Sequence, residues 1–359
     1  MSAFRVAATL IVVTVMGLPT APGQEPDPLQ ALQAKNVITD EDRSVVQAWV
    51  AQRVSGVMSK DASEAGPAVR ELRAGFSGTQ SFKDTYAAVC IEAVGSAYKR
   101  AERVPAARLL TTLIALNETG ANRVFVEALG DKRAAIRQAG AVGLRNLRSK
   151  LLAGGGTLVT DALAALVAAG KKETSTVPLR TIYQALDYTG AGMTPTDPKP
   201  IVAAVLELLE ARAAQYAAGK VKAEGADAEG LRVAGALRAA MTEEQTRRYI
   251  VAVAGMLRYA IIRYTSGEPP LHKVIDKNAS TRLIELRNGT EFLIDAGERE
   301  LIALLAPPDP PTVAQKMKTE GLGAPTAMKI QWENNWVPLL ENAVGQSFRI
   351  DPTAKTDGG

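Results

Sequence analysis

Apolar residues recur at helical spacing along most of the chain, and residues 131–151 show the pattern most clearly. Read at about 100° per residue, the small and apolar side chains of this segment form one stripe about 100° wide. The residues on this stripe are Ile136, Gly140, Gly143, Leu144, Leu147 and Leu151. Asp131 stands at the start of the run, where a short acidic side chain can cap a helix and oppose its positive end. The segment is therefore predicted to be a helix with one buried face.

Glycines inside the predicted helices indicate how closely those helices pack. Glycine in a helix interior costs about 1 kcal/mol relative to alanine, so its presence there needs a compensating reason. We expect Gly140, Gly143, Gly235 and Gly255 each to face the backbone of a neighbouring helix that leaves no room for a Cβ. The helix at 131–151 is accordingly predicted to be one layer in a stack.

The same periodicity predicts further helices on both sides of this segment. They fall at residues 39–54, 62–76, 81–103, 105–116, 122–129, 158–169, 201–216 and 231–264. Three consecutive glycines at 154–156 and the polar residues 219–230 are predicted to be connections. In residues 282–294, Asn288-Gly289 lies between two apolar runs, which is typical of a β-hairpin. The helical surroundings favour two helices there, with a small hairpin as the alternative.

The segment 131–151 also resembles a known repeat. Asp131 is followed by the pair Ile136-Arg137 and by a small, leucine-containing helix face, and this order resembles the second helix of a HEAT repeat. Residues 122–129 (Asn-Arg-Val-Phe-Val-Glu-Ala-Leu) fit the first helix of the same unit. The resemblance implies stacked helical hairpins, in which Arg137 bridges to turn carboxylates such as that of Asp131.

Internal repetition adds to this resemblance. Residues 231–237 (Leu-Arg-Val-Ala-Gly-Ala-Leu) echo residues 136–142 (Ile-Arg-Gln-Ala-Gly-Ala-Val), roughly two periods of about 40–47 residues further on. Residues 233–240 recur as residues 253–260, an interval that suits neighbouring helices of one hairpin. We therefore predict an all-α fold, a degenerate HEAT-like or armadillo-like α-solenoid in which each unit buries its face against the next.

Shifts in composition divide the chain into segments. Residues 1–23, with Arg5 followed by an apolar run and a small-residue site, are typical of a secretory signal peptide. That run is too short for an ordinary spanning helix, which needs about 20 residues, although an uncleaved N-terminal anchor is an alternative. The other predicted segments are an N-terminal repeat region (24–190), a Pro-rich linker (191–200), a C-terminal repeat region (201–305), a Pro-rich segment with a Trp-containing helix (306–350) and a disordered tail (351–359). We expect a secreted or periplasmic protein with no membrane span after signal cleavage.

Residue usage argues against catalysis and against nucleic-acid binding. His272 is the only histidine and Cys90 the only cysteine, which excludes a two-histidine metal site and an intrachain disulfide. No phosphate-binding loop and no nucleophile motif is complete. The net charge of +4 is too small to indicate a nucleic-acid partner. We predict no catalytic residue, no cofactor and no metal site, and we interpret Cys90 as a buried apolar side chain.

Two features are candidates for binding a partner. The candidate residues are Arg133, Arg145, Arg148, Trp332 and Trp336. The three arginines lie in residues 132–150, which carry basic side chains and no acidic one, so they could attract an anionic partner. The two tryptophans stand one helical turn apart. They either clasp the last layer of the array or form an exposed pair for a partner.

The function that fits these observations best is an exported, non-catalytic helical-repeat scaffold that mediates protein–protein interaction. Its partner is expected to be another protein, and the basic side chains favour an anionic one. The alternatives are an envelope structural or polymer-binding protein and, with less support, an enzyme without a recognisable motif. A long open amphipathic surface would favour the scaffold, whereas a deep pocket with convergent carboxylates would favour the enzyme.

Overall fold

The computed structural model describes residues 27–190, 193, 195–274, 279–310 and 312–351. Within those residues the secondary structure is helical throughout, and no β-strand occurs. The predicted all-α fold is therefore confirmed. The predicted signal peptide (1–23) lies outside the described residues, and so does the predicted tail beyond Asp351.

A short helix, α1 (Pro28–Gln33), precedes two layers of helices between which the chain alternates. The first layer consists of α2 (Asp40–Val57), α4 (Gln80–Arg100), α6 (Asn122–Leu129), α8 (Thr157–Lys172), α10 (Lys199–Ala217) and α12 (Glu243–Ser266). The second layer consists of α3 (Ala62–Ala74), α5 (Arg103–Leu116), α7 (Ala134–Gly154), α9 (Thr176–Leu186), α11 (Glu224–Ala236) and α13 (Thr281–Leu305). Each helix packs against the next one of its own layer, and each first-layer helix packs against its successor in the second. These contacts continue across the predicted linker at 191–200, and the arrangement is that of a helical-repeat solenoid.

Local signals in the sequence set where several of these helices begin and end. Thr39 and Asp42 form a capping box at the start of α2, with one hydrogen bond of 3.2 Å in each direction. Thr242 and Gln245 repeat the arrangement at the start of α12. Asn117 ends α5 in the left-handed conformation, at φ 53°. These boundaries are therefore encoded within a few residues, before any packing is considered.

The close helix contact predicted from the glycines is present in the central pair, α6 and α7. A Cβ on Gly140 would lie 2.7 Å from the backbone oxygen of Phe125 in α6, and a Cβ on Gly143 would overlap the Phe125 ring. The prediction is confirmed for Gly140, whereas Gly143 faces a side chain and not backbone. It is wrong for Gly235, which faces a flexible carboxylate, and for Gly255, whose Cβ position has no heavy atom within 4 Å.

Two segments differ from their predicted structure. Residues 282–294 belong to the single helix α13, so both the pair of helices and the hairpin are wrong. A Cβ on Gly289 would lie 2.9 Å from the Cα of Gly225 in α11, so the Asn-Gly pair serves a close helix crossing and not a turn. The predicted loop at 219–230 is wrong in its second half, because α11 begins at Glu224 and buries its first acidic side chains.

Three short helices close the array at its C-terminal end. They are α14 (Val313–Thr319), α15 (Ala324–Gln331) and α16 (Val337–Val344). α14 packs against α13, whereas α15 and α16 pack against α12. Between α15 and α16 the backbone widens into a π-helical turn, Trp332–Trp336. The last two helices of the solenoid are thereby covered by a segment that does not repeat.

Candidate binding groove

The three candidate arginines make contacts within the array. Arg133 donates to the two carboxylate oxygens of Asp131 at 2.8 and 2.7 Å and also reaches back to backbone carbonyls of the preceding helical pair. Arg145 and Arg148 reach forward to Gln184 of α9, to its side-chain oxygen at 2.7 Å and its backbone oxygen at 2.9 Å respectively. Burial lowers the pKa of Arg148 from its ordinary value. These donors hold neighbouring helices, so a partner-binding role for the three arginines stays a prediction without support from their contacts.

Arg137 bridges consecutive helical pairs, as the HEAT resemblance implies, but it uses a different carboxylate. Its guanidinium donates two hydrogen bonds to Glu173, at 2.6 and 2.8 Å, in the turn before α9. It also donates to the backbone oxygen of Asp131 at 2.9 Å, while the carboxylate of that residue is bound by Arg133. Bidentate pairing adds geometric specificity to the attraction between charges. Arg137 therefore holds the helical pair α6–α7 in register with the helical pair α8–α9.

The two candidate tryptophans are buried, so the interpretation as an exposed pair is wrong. Both side chains are 0% exposed. The Nε1–H of Trp332 donates to the backbone oxygen of Phe348 at 2.9 Å, and that of Trp336 donates to the carboxylate of Glu298 at 3.0 Å. Glu298 also accepts the first two backbone N–H groups of α14. The tryptophans therefore clasp the C-terminal segment onto the last helical pair, which is the other interpretation that the sequence allowed.

An open groove of about 790 Å³ lies where α10, α12 and residues 344–348 meet. We call it the α10–α12 groove. Its apolar lining includes Ala213, Ala214, Ala217 and the ring of Tyr216 from α10, Val251, Ala252, Gly255, Ile262 and the ring of Tyr259 from α12, and Val344 and Phe348 from the third wall. The small side chains give the groove its depth, and no heavy atom lies within 4 Å of a Cβ position at Gly255. The groove is therefore an apolar surface that the array itself leaves uncovered.

Arginines outnumber carboxylates around the α10–α12 groove. Arg248 donates two hydrogen bonds to Glu210, at 2.6 and 2.7 Å, and this pairing raises the pKa of Arg248. Arg247 and Arg258 also line the groove, and neither is within ion-pair distance of a carboxylate in the described part of the chain. The Nε–H of Arg258 is enclosed without a hydrogen-bond partner. The groove therefore carries an excess of positive charge, which attracts anionic groups.

A buried ion pair supports the groove from the side of α11. Asp227 accepts hydrogen bonds from Arg212 at 2.7 and 2.9 Å and from the hydroxyls of Tyr183 and Tyr216 at 2.7 Å each. Burial, with the charge of Asp227 nearby, raises the pKa of both tyrosines well above the ordinary value, so both stay protonated donors. Arg212 and Asp227 are 1% and 0% exposed. The cluster therefore joins α9, α10 and α11 and is closed to ligands.

The remaining titratable groups of interest are isolated from one another. Burial raises the pKa of the Cys90 thiol to about 12, which keeps it protonated and unreactive. His272 is half-buried, with its Nδ1 3.1 Å from the backbone oxygen of Tyr264. Burial raises the pKa of Glu224 to about 7, yet its side chain is enclosed. In the described residues, no three His, Cys, Asp or Glu side chains converge as a metal site would require.

Sequence reasoning missed both the groove and the buried cluster. Signals for the groove were present, because Ala213, Ala214 and Ala217 are small and Arg247-Arg248 is a cationic pair on the next first-layer helix. They were indistinct because alanine and arginine are common throughout the chain. Asp227 gave no signal of burial, since it stands with Glu224 and Glu229 in the stretch 219–230, which was predicted to be a polar loop.

No model of a known protein family matches the sequence, and no curated protein matches it either. Across the described ranges, no helix combines the length and the apolar character needed to cross a bilayer. The fold and the α10–α12 groove are therefore the features that bear on function.

Proposed function

We propose that this protein is an exported, non-catalytic helical-repeat scaffold that binds a segment of another protein in the α10–α12 groove. The observation that carries the proposal is the uncovered apolar lining around Gly255. Its volume of about 790 Å³ lies within the range of about 300–1,000 Å³ that is typical of small-molecule pockets, so it is large enough to enclose a side chain. The HEAT resemblance and the signal-like residues 1–23 support the scaffold role and the export.

The groove also has the composition of a recognition site for a partner. Its centre is apolar, its ends carry charged side chains, and its third wall exposes Gln346 and Ser347. Recognition sites of this kind derive affinity from the desolvated centre and orientation from the polar rim. We infer that the partner contributes an apolar side chain to the centre and polar or charged groups to the rim.

The substitution Gly255→Leu tests the proposal, because its side chain would occupy the groove without meeting another atom at Cβ. A displayed library of random peptides is selected on the wild-type protein, and each selected peptide is then assayed on Gly255→Leu. The matched control is Ser149→Leu, which adds the same side chain at an exposed position of α7. We expect most selected peptides to bind the wild type and Ser149→Leu but not Gly255→Leu. Selected peptides that bind all three proteins equally would refute the groove as the binding site.

A further inference from the structure

The two arginines without carboxylate partners lie on the same face of α12. Arg247 and Arg258 are eleven residues apart, which is close to three helical turns and corresponds to about 16 Å along the helix axis. Both line the α10–α12 groove, and the apolar positions Val251 and Gly255 lie between them. The groove therefore presents a cation at each end and an apolar interval in the middle.

This arrangement distinguishes between classes of anionic ligand. A lipid anchors through one headgroup, so it would use a single cationic end and extend its chains along the apolar part. A carboxylate-bearing peptide can satisfy both ends, since its acidic side chains can be separated by apolar ones. Arginine pairs with carboxylates through two parallel hydrogen bonds, and Arg247 and Arg258 both line the groove without a carboxylate partner among the described residues.

The distance between the arginines sets the spacing of the acidic residues. An extended chain rises about 3.3 Å per residue, so about five residues cover the interval between Arg247 and Arg258. Because arginine side chains are long and can reach along the groove, the acceptable separation between the two acidic residues widens to roughly four to six residues. Gln346 and Ser347 on the opposite wall are exposed and form no hydrogen bond within the described chain, so they are available to the backbone of an extended peptide.

Resting on the proposed function, we infer that the partner segment is an extended acidic peptide. Two carboxylates four to six residues apart pair with Arg247 and Arg258, and an apolar side chain between them enters the space over Gly255. Arg248 contributes less, because Glu210 already neutralises it.

Fluorescence anisotropy with a labelled, end-blocked peptide Asp-Ala-Leu-Ala-Ala-Asp tests this inference. The matched probe is Asn-Ala-Leu-Ala-Ala-Asn, which keeps the apolar centre and removes both charges. We expect the acidic probe to bind at least about tenfold more tightly at low salt, and the difference to shrink as salt screens the charges. Arg258→Gln should weaken the acidic probe about tenfold and the more exposed Arg247→Gln about threefold. Arg123→Gln, at an exposed position of α6, should leave both affinities unchanged.

The possible outcomes separate this inference from the proposed function. If both probes bind with equal affinity and Gly255→Leu abolishes both, the groove binds peptides but the acidic class is wrong. If neither peptide binds and vesicles of phosphatidylglycerol bind in an Arg258-dependent manner, the ligand is a lipid and the inference is overturned. If no probe and no peptide from the selected library binds in a Gly255-dependent way, both the inference and the proposed function fail.

Discussion

Replacing Gly140 and Gly255 by alanine, one at a time, compares a tight helix contact with an open groove. Both glycines lie inside long helices, so alanine should gain about 1 kcal/mol of helix propensity at either position. The surroundings differ. At Gly140 the new Cβ would lie 2.7 Å from the Phe125 oxygen and 3.1 Å from the backbone nitrogen of Leu129. At Gly255 it would meet no heavy atom within 4 Å.

The two substitutions should therefore change stability in opposite directions. Backbone atoms cannot rotate away as a side chain can, so overpacking at Gly140 should cost about 1–3 kcal/mol and exceed the gain in propensity. We expect Gly140→Ala to be destabilising by about 1 kcal/mol and Gly255→Ala to be stabilising by about 0.5–1 kcal/mol.

Urea unfolding followed by far-UV circular dichroism measures both changes against the wild type. Ser149→Ala, at an exposed position of α7, controls for helix propensity alone. If Gly140→Ala is as stable as Gly255→Ala, then α6 and α7 leave room for a Cβ at Gly140, which would refute the close helix contact.

Three further substitutions test the buried polar groups. Asp227→Asn should cost about 3–5 kcal/mol, because it leaves the buried guanidinium of Arg212 without its counterion. Glu224→Gln should remove a pH dependence of stability. Burial raises the pKa of Glu224 from 4.5 to about 7, so the folded state binds this proton more tightly than the unfolded state does. As the pH rises through that interval, the free energy of unfolding of the wild type should therefore fall by about 3 kcal/mol relative to that of the variant. Trp336→Phe should cost about 1–3 kcal/mol, because Glu298 loses a donor and the clasp loses volume. Urea unfolding measures the first and third, and urea unfolding at pH 4.5 and 8 measures the second.

Each of these three predictions has a matched control in the same chain. Asp161→Asn and Glu244→Gln make the same chemical changes at exposed positions and should alter stability little at any pH. Trp49→Phe changes the same ring at a site where the indole Nε1 is buried but has no hydrogen-bond partner. It should therefore cost less than Trp336→Phe. Equal losses at the two tryptophans, or an Asp227→Asn variant as stable as its control, would contradict the role assigned to these contacts.

The parts of the fold that could be predicted from sequence are those that local signals determine. The predicted helix at 122–129 matches α6, because its apolar spacing and the flanking turns lie within a few residues of it. The contact between Gly140 and the α6 backbone followed from the cost of glycine in a helix, which is also a local quantity. The helical content, the order of the helices and their stacking as hairpins could be predicted for the same reason.

The errors occur where a distant residue decides the outcome. Asn288-Gly289 is a turn signal in isolation, but the approach of Gly225 gives Gly289 a place inside α13. Gly255 carries the same signal as Gly140, yet nothing packs over it, and only the three-dimensional arrangement shows the difference. The groove itself joins three segments that are remote in sequence. No pattern within a single segment could have predicted it.

If the groove binds the proposed peptide, the hydrogen bond between Trp332 and Phe348 would make binding depend on how much of the chain has been synthesised. Helices α10 and α12 emerge first and can pack together, but the third wall of the groove, residues 344–348, is made later and is held by the Trp332 indole. Trp332→Phe should separate these two stages, because it keeps a buried ring and removes the N–H group that holds Phe348. Circular dichroism should show that the helical content is kept, while anisotropy should show a loss of peptide affinity. Unchanged affinity would contradict the idea. A nascent chain that has reached α12 but not the third wall would already be folded over most of its length and still unable to capture a partner. Only molecules in which residues 344–348 are in place would then bind the partner.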